Sequence, residues 1–259
     1  MFVEAGGTKV FCDILGESGS KVLLLHGWGC DSSFMASPAE ALKAEHRVLR
    51  IDFPGFGQSG RPTEPWGVPE YAACLKEVLE KLDFVPCAAV GHSFGCRVLA
   101  WAGSEWPRLF TKLVFTGAAG LRKEPDEAAR KRAAEFRRKK ELLQNIRKLP
   151  GLRSVGEKME ENLRRKYGSA DYNALDGEMR KTFVKVINQD LRDRYPRLTP
   201  STLLLWGDAD TETPLWMGRE MEKLIPDAGL AVLEGGTHFA YLEQASRFNT
   251  IVQHFLSEA

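Results

Sequence analysis

Six short apolar runs, each closed by glycine or a polar turn, recur along the chain. They lie at residues 21–27 (KVLLLHG), 46–55 (HRVLRIDFPG), 87–93 (CAAVGHS), 112–117 (KLVFTG), 202–208 (TLLLWGD) and 230–236 (LAVLEGG). Runs that stay apolar without alternation suit strands buried on both faces of a parallel sheet. Between them, residues 70–82 (EYAACLKEVLEKL) and 244–256 (QASRFNTIVQHFL) carry their apolar residues at helical spacing. Strands alternating with helices over short linkers predict an α/β fold with a mostly parallel central sheet flanked by helices.

The pattern breaks after Gly120. From residue 121 to residue 197 no strand-like run occurs, and the segment holds 22 Lys+Arg against 13 Asp+Glu, a net of +9. The rest of the chain therefore carries −8 within an overall charge of +1. Residues 124–146 have a helical stripe at Ala129, Ala133, Phe136, Leu143 and Ile146, and Glu-to-Lys pairs four apart at Glu127/Lys131 and Glu135/Lys139. Residues 154–168 and 176–191 read as two more helices. The expectation is a core of residues 1–120 and 198–259 interrupted by a helical insertion at 121–197.

The 259 residues suffice for one α/β domain with a sizeable core. The near-zero net charge does not point to nucleic acid or to an anionic membrane. No apolar stretch reaches bilayer-spanning length, and the first residues lack the basic start and apolar core of a secretion signal. Five scattered cysteines (Cys12, Cys30, Cys74, Cys87, Cys96) form no C-x-x-C pair, and the histidines form no metal-ligand spacing. Cytoplasmic location, no metal and no cofactor are expected.

Residues 89–96 (AVGHSFGC) place Ser93 between Gly91 and Gly95 at the end of a predicted strand. A sharp strand-to-helix turn strains the residue at its apex, and near-absent neighbouring side chains make room for it. The serine hydroxyl would then project from the carboxyl edge of the sheet, with the Phe94 N–H at the helix N-terminus ready to stabilise an anion. Such a serine needs a base and a group that orients the base. Residues 203–214 (LLLWGDADTETP) bring Asp208 and Asp210 to the end of a later strand, and His238 follows the last strand. A second anion donor is expected from residues 26–29 (HGWG), where the Trp28 N–H is the candidate. His26 and His92 read as packing or turn-stabilising residues, and Asp52 with Gly55 and Gly57 as a tight turn.

Taken together, HGWG, DFPGFGQS (52–59), GHSFG, WGDADTETP and GGTHFAYLE resemble the α/β-hydrolase-fold serine hydrolases, carboxylesterase-like and with a helical cap. The resemblance covers essentially the whole core. It implies a Ser93–His238–Asp210 triad, since the family's acid is the Asp of W-G-x-x-D-x-x-x-P, here Asp210 with Pro214; Asp208 is the rival, free to cap a turn. It also implies backbone oxyanion donors at Trp28 and Phe94, and a cap at residues 121–197. Cys96 stands where many relatives carry a second glycine. The implied activity is hydrolysis of carboxylic esters of small or medium acyl groups. Within the same chemistry stand carbon–carbon bond hydrolysis and esterase action on an acyl-carrier-protein methyl ester, for which the basic segment would suit an acidic carrier. A ligand receptor keeping this fold with little turnover is the alternative of a different class.

Overall fold

The structure is a computed structural model that describes residues 1–122, 127–147, 153–167, 172–173 and 175–257. Parts of the predicted insertion (123–126, 148–152, 168–171 and 174) lie outside the described residues, as does the side chain of Ala129. Eight strands form one sheet among them: β1 (Phe2–Ala5), β2 (Thr8–Leu15), β3 (Ser20–Leu25), β4 (His46–Ile51), β5 (Cys87–His92), β6 (Phe110–Thr116), β7 (Ser201–Gly207) and β8 (Ala228–Leu233). Their order is β1-β2-β4-β3-β5-β6-β7-β8. β1 and β2 run antiparallel to their neighbours, while β4-β3-β5-β6-β7-β8 are all parallel. This is the mostly parallel α/β sheet that the pattern predicts, in the α/β-hydrolase arrangement that the resemblance of the motifs implies.

The six apolar runs became β3 to β8. β1 and β2 were not among the predicted strands, and the physical reason is their different pattern. They form a hairpin whose buried residues (Val3, Ala5, Thr8, Val10, Cys12) alternate with more exposed ones. Such half-buried strands do not match a template of continuous hydrophobicity. Gly6 and Gly7, at φ 58° and 72°, make the two-residue turn between them.

Helices cover both faces. α1 (Ala36–Leu42) and α9 (Ala245–Ser257) pack over Val22, Leu24, Val48, Val90, Val114 and Leu205 through residues such as Ala39, Leu42, Phe248 and Val252. α2 (Val68–Lys81), α3 (Phe94–Glu105) and α7 (Trp216–Leu224) lie on the other face, where Gly218 of α7 lets the helix approach the Trp206 ring. A short α8 (Ala240–Glu243) precedes α9.

The chain divides into two compact units, Met1–Leu121 with Val184–Ala259, and Arg122–Phe183. The second holds α4 (Glu127–Arg147) and α5 (Arg153–Tyr167), and α6 (Gly177–Asn188) begins in it and ends in the first. In α4 the predicted stripe holds only in the second half: Leu143 is buried, Phe136 and Ile146 half-buried, and Ala133 exposed. Residues 130–135 are exposed all round, so this end of α4 leans on its own pairs, Glu127–Lys131 (2.7 Å) and Glu135–Lys139 (2.5 Å). Exposed pairs of this kind contribute only a few tenths of a kcal/mol. Within the same unit Arg180 joins Glu161 at 2.9 Å and stacks over the Tyr172 ring.

Leu24 is fully buried at the centre of the sheet. Leu24→Ala is expected to lower unfolding stability by about 2–5 kcal/mol through lost burial and the cavity left behind. Urea unfolding followed by circular dichroism checks this; a loss under about 1 kcal/mol would mean the core collapses around the site.

Candidate active site

The chain runs from β3 to β4 on one side and returns to β5 on the other. The crevice at the carboxyl ends of β3 and β5 is therefore the topological switch point of the sheet, where open α/β folds bind ligands. Residues 26–29 follow β3, and Ser93 follows β5.

Ser93 sits at φ 49° and ψ −104°, a region that residues with a Cβ seldom occupy. Three backbone hydrogen bonds hold it there. Its N–H donates to the Thr116 carbonyl (3.0 Å), and its own carbonyl accepts from the N–H groups of Cys96 (3.2 Å) and Ala119 (3.3 Å). The flanking glycines are needed for close approach. A Cβ on Gly95 would stand 2.7 Å from the Leu25 carbonyl oxygen, and one on Gly91 would stand 2.9 Å from Leu99 Cδ1. Cys96 fits because its buried thiol donates to the Gly91 carbonyl at 2.9 Å; burial keeps that thiol protonated.

His238 and Asp210 meet at the same carboxyl edge of the sheet, after β8 and β7. His238 Nδ1 lies 2.8 Å from Asp210 Oδ2. A carboxylate only accepts, so Nδ1 carries the proton and Nε2 of the neutral ring is left as a base. Asp210 Oδ1 accepts the N–H groups of Glu212 and Thr213, each at 2.9 Å. Burial by itself pushes the Asp210 carboxyl up, but the donors from His238 and Thr213 outweigh it and hold the group below the usual carboxylate range. Asp208 is elsewhere: it is exposed and caps the turn at the Gly235 N–H (2.7 Å). Gly117, next to the Thr116 that holds Ser93, leaves room for the pair, since a Cβ there would lie 3.2 Å from His238 Nδ1 and 3.3 Å from Asp210 Oδ2.

The Gly27–Trp28 peptide closes on the serine from the β3 side. A Cβ on Gly27 would stand 3.4 Å from Ser93 Cβ and 2.7 Å from His92 Nδ1. The Trp28 ring packs edge-on against Phe56 and Phe94 (centroids 4.9 and 5.2 Å), which fixes its backbone. Phe94 is the first residue of α3, where an N–H has no acceptor within the helix. The arrangement places a hydroxyl, an oriented imidazole and two backbone N–H groups at one edge, the set that acyl transfer requires.

Both neighbouring histidines do more than pack. His26 Nε2 accepts the Phe53 N–H (3.0 Å), so its Nδ1–H donates to the Gly27 carbonyl (2.7 Å) and orients the very peptide that carries the Trp28 N–H. Burial pushes the His26 pKa down, so the ring stays neutral. His92 Nε2–H donates to the His238 carbonyl (3.0 Å), and the two rings lie 4.8 Å apart. Burial, then repulsion from His238, lowers the His92 pKa from 6.5 to about 3. Asp52 is buried and braces two loops, accepting from the N–H groups of Ser32 and Gln58 at 2.7 Å. Thr213 is a site residue that the motif reading passed over. Its hydroxyl lies 2.8 Å from Asp210 Oδ2 and 3.2 Å from His238 Nδ1, and a short polar side chain three residues from the acid was the one available signal.

Among the described residues no His, Cys, Asp or Glu cluster could hold a metal ion, and no helix is long and apolar enough to cross a membrane. Matched over residues 22–251, the chain belongs to the alpha/beta hydrolase family. It is 27% identical over 272 residues to the 2-hydroxy-6-oxononadienedioate/2-hydroxy-6-oxononatrienedioate hydrolase of a Pseudomonas species, covering 93% of this chain and 89% of that one. It is 25% identical to the pimeloyl-[acyl-carrier protein] methyl ester esterase of Aeromonas hydrophila, covering 92% and 96%. An esterase (EaEST) from Exiguobacterium antarcticum shares the fold with a TM-score of 0.76 at 20% identity, over 99% of both chains.

The lowered pKa of His92 has a consequence for stability. The folded state resists protonation there, so stability is full above 6.5 and falls as pH drops from 6.5 towards about 3. A His92→Gln variant is expected to be less stable than wild type at pH 8 and to lose stability less steeply over that window. Denaturant unfolding at stepped pH reads the two slopes; equal slopes would mean His92 is not the group that resists its proton.

Proposed function

We propose that this protein is a serine hydrolase that cleaves carboxylic esters of small or medium acyl groups. Ser93 Oγ attacks the ester carbonyl as His238 Nε2 takes its proton. The N–H groups of Trp28 and Phe94 hold the oxyanion, each such donor being worth about 3 kcal/mol in comparable sites. His238 Nε2–H then protonates the leaving alkoxide, and an acyl-Ser93 ester remains. Water, giving its proton to His238, attacks that ester, and the acid leaves as Ser93 regains its hydrogen. Asp210 keeps the proton on Nδ1 and stabilises the imidazolium. Each step uses only this chain's residues and water. The observation that carries the reading is the strained Ser93 at the switch point of the sheet, on the same carboxyl edge where the buried Asp210 holds the partly exposed His238.

The names of the relatives favour two neighbouring readings within the same chemistry, carbon–carbon bond hydrolysis and cleavage of a methyl ester borne on an acyl carrier protein. For the second, the net +9 of residues 121–197 would attract an acidic carrier. We place the protein in the cytoplasm, where its buried thiols stay reduced.

Hydrolysis of p-nitrophenyl esters of increasing acyl length separates these cases. Wild type is expected to turn over the shorter esters, and Ser93→Ala to lose about four orders of magnitude or more in kcat. The preferred chain length then sizes the pocket. Turnover indifferent to Ser93 would overturn the triad, and a single acylation without release would favour a ligand receptor on this fold.

A further inference from the structure

We propose that Thr213 is a positioning residue that sets the proton affinity of His238 through Asp210; the role rests on the esterase reading above. Three atoms converge on its hydroxyl: Asp210 Oδ2 at 2.8 Å, the Gly117 carbonyl at 3.0 Å and His238 Nδ1 at 3.2 Å. The hydroxyl has one proton to donate. The shortest contact gives it to Asp210 Oδ2, the same oxygen that receives the His238 Nδ1–H. The hydroxyl oxygen then lies within reach of that Nδ1–H as a second acceptor.

Thr213 is itself held from both sides. Its N–H donates to Asp210 Oδ1 at 2.9 Å, and the indole N–H of the buried Trp206 donates to its carbonyl at 2.6 Å. One residue thus fills a site on each carboxylate oxygen, and the loop between Gly207 and Pro214 is wrapped around the acid. The hydroxyl is buried with Asp210 and Gly117, so water does not compete for those two contacts.

The consequence follows from charge. A donor on Oδ2 draws density from the carboxylate and makes it a weaker partner for an imidazolium. The Nδ1 proton stays on His238, and Nε2 stays neutral and basic at lower pH. Without the hydroxyl, Asp210 would hold the imidazolium more firmly, and His238 would shed its proton only at higher pH. Among the described residues, His92 lies 4.8 Å from this ring at the end of β5, and Glu243 of α8, whose carboxylate is engaged by the Thr237 N–H and hydroxyl, feels the charge of Asp210. Neither touches the Thr213 hydroxyl.

The test compares full-length wild type with Thr213→Val, which keeps shape and removes the donor, and Thr213→Ser, which keeps the donor. Kinetics on p-nitrophenyl acetate are read across pH, and the His238 imidazole is titrated by NMR. Thr213→Val is expected to lower kcat about ten- to a hundredfold with KM little changed, because Asp210 loses the bond that fixes its Oδ2 and with it the orientation of the His238 ring. The acid limb of its kcat/KM profile and its His238 titration should both move to higher pH. Thr213→Ser should restore rate and profile. A slower Thr213→Val enzyme whose acid limb and titration match wild type would overturn the proposal, leaving Thr213 as packing alone. Should Thr213→Val fail to fold, Thr213→Ala is read in the same way. Ser93→Ala run alongside keeps the two claims apart: if it retains turnover, the esterase reading fails, and the His238 titration alone decides for or against Thr213.

Discussion

A side-chain-bearing residue at φ 49° and ψ −104° costs on the order of 1–3 kcal/mol, and the site is organised around keeping Ser93 in that conformation. The strain is local, but what opposes it is spread over the sheet. β6 supplies the carbonyl that receives the Ser93 N–H, the chain after β6 supplies the Ala119 N–H, and β3 supplies the backbone against which Gly95 is pressed. Losing the turn would require moving strands that are paired on both sides and buried on both faces. That is why a hydroxyl can be held out at a fixed point with no side-chain support of its own.

The same economy governs the ionisable groups. Three histidines lie at this edge, and each has its nitrogens assigned by different partners. His26 lies between a backbone N–H and a backbone carbonyl, and His92 donates to the carbonyl of His238. Both are buried without a carboxylate bonded to the ring, so both stay neutral and serve as fixed struts. Only His238 is hydrogen-bonded to an acid, and only it is partly open to solvent. The proposed division of labour, two rings that hold and one that exchanges a proton, comes from burial and partner chemistry, since the three side chains are identical.

Asp210 illustrates how a buried charge is kept. Taking a carboxylate out of water is expensive unless it is hydrogen-bonded. Here four donors meet two oxygens: two backbone N–H groups on Oδ1, and the Thr213 hydroxyl and His238 ring on Oδ2. Asp208, two residues earlier, stays at the surface and spends its carboxylate on a turn.

The order of the motifs along the chain was legible from sequence because each depends on local chemistry. Continuous apolar runs specify buried parallel strands, and glycines beside Ser93 specify a tight turn. The helix periods of residues 70–82 and 244–256 closed on α2 and α9 within a residue or two. The β1–β2 hairpin was not legible as a run, because strands buried on one face only alternate. Nor was the exposed first half of α4, because a helical stripe does not say whether anything covers it. What only the tertiary structure decided is pairing at a distance. Strand-end position alone leaves Asp208 and Asp210 together at the end of β7, and only the resemblance to W-G-x-x-D-x-x-x-P names Asp210; His26 and His92 read as packing or turn-stabilising residues, and Thr213 had no role. The fold of the loop after β7 turned one carboxylate inward, and with it the Thr213 hydroxyl, because hydrogen bonds select by position to a few tenths of an ångström while a sequence pattern specifies only which strand end a residue occupies.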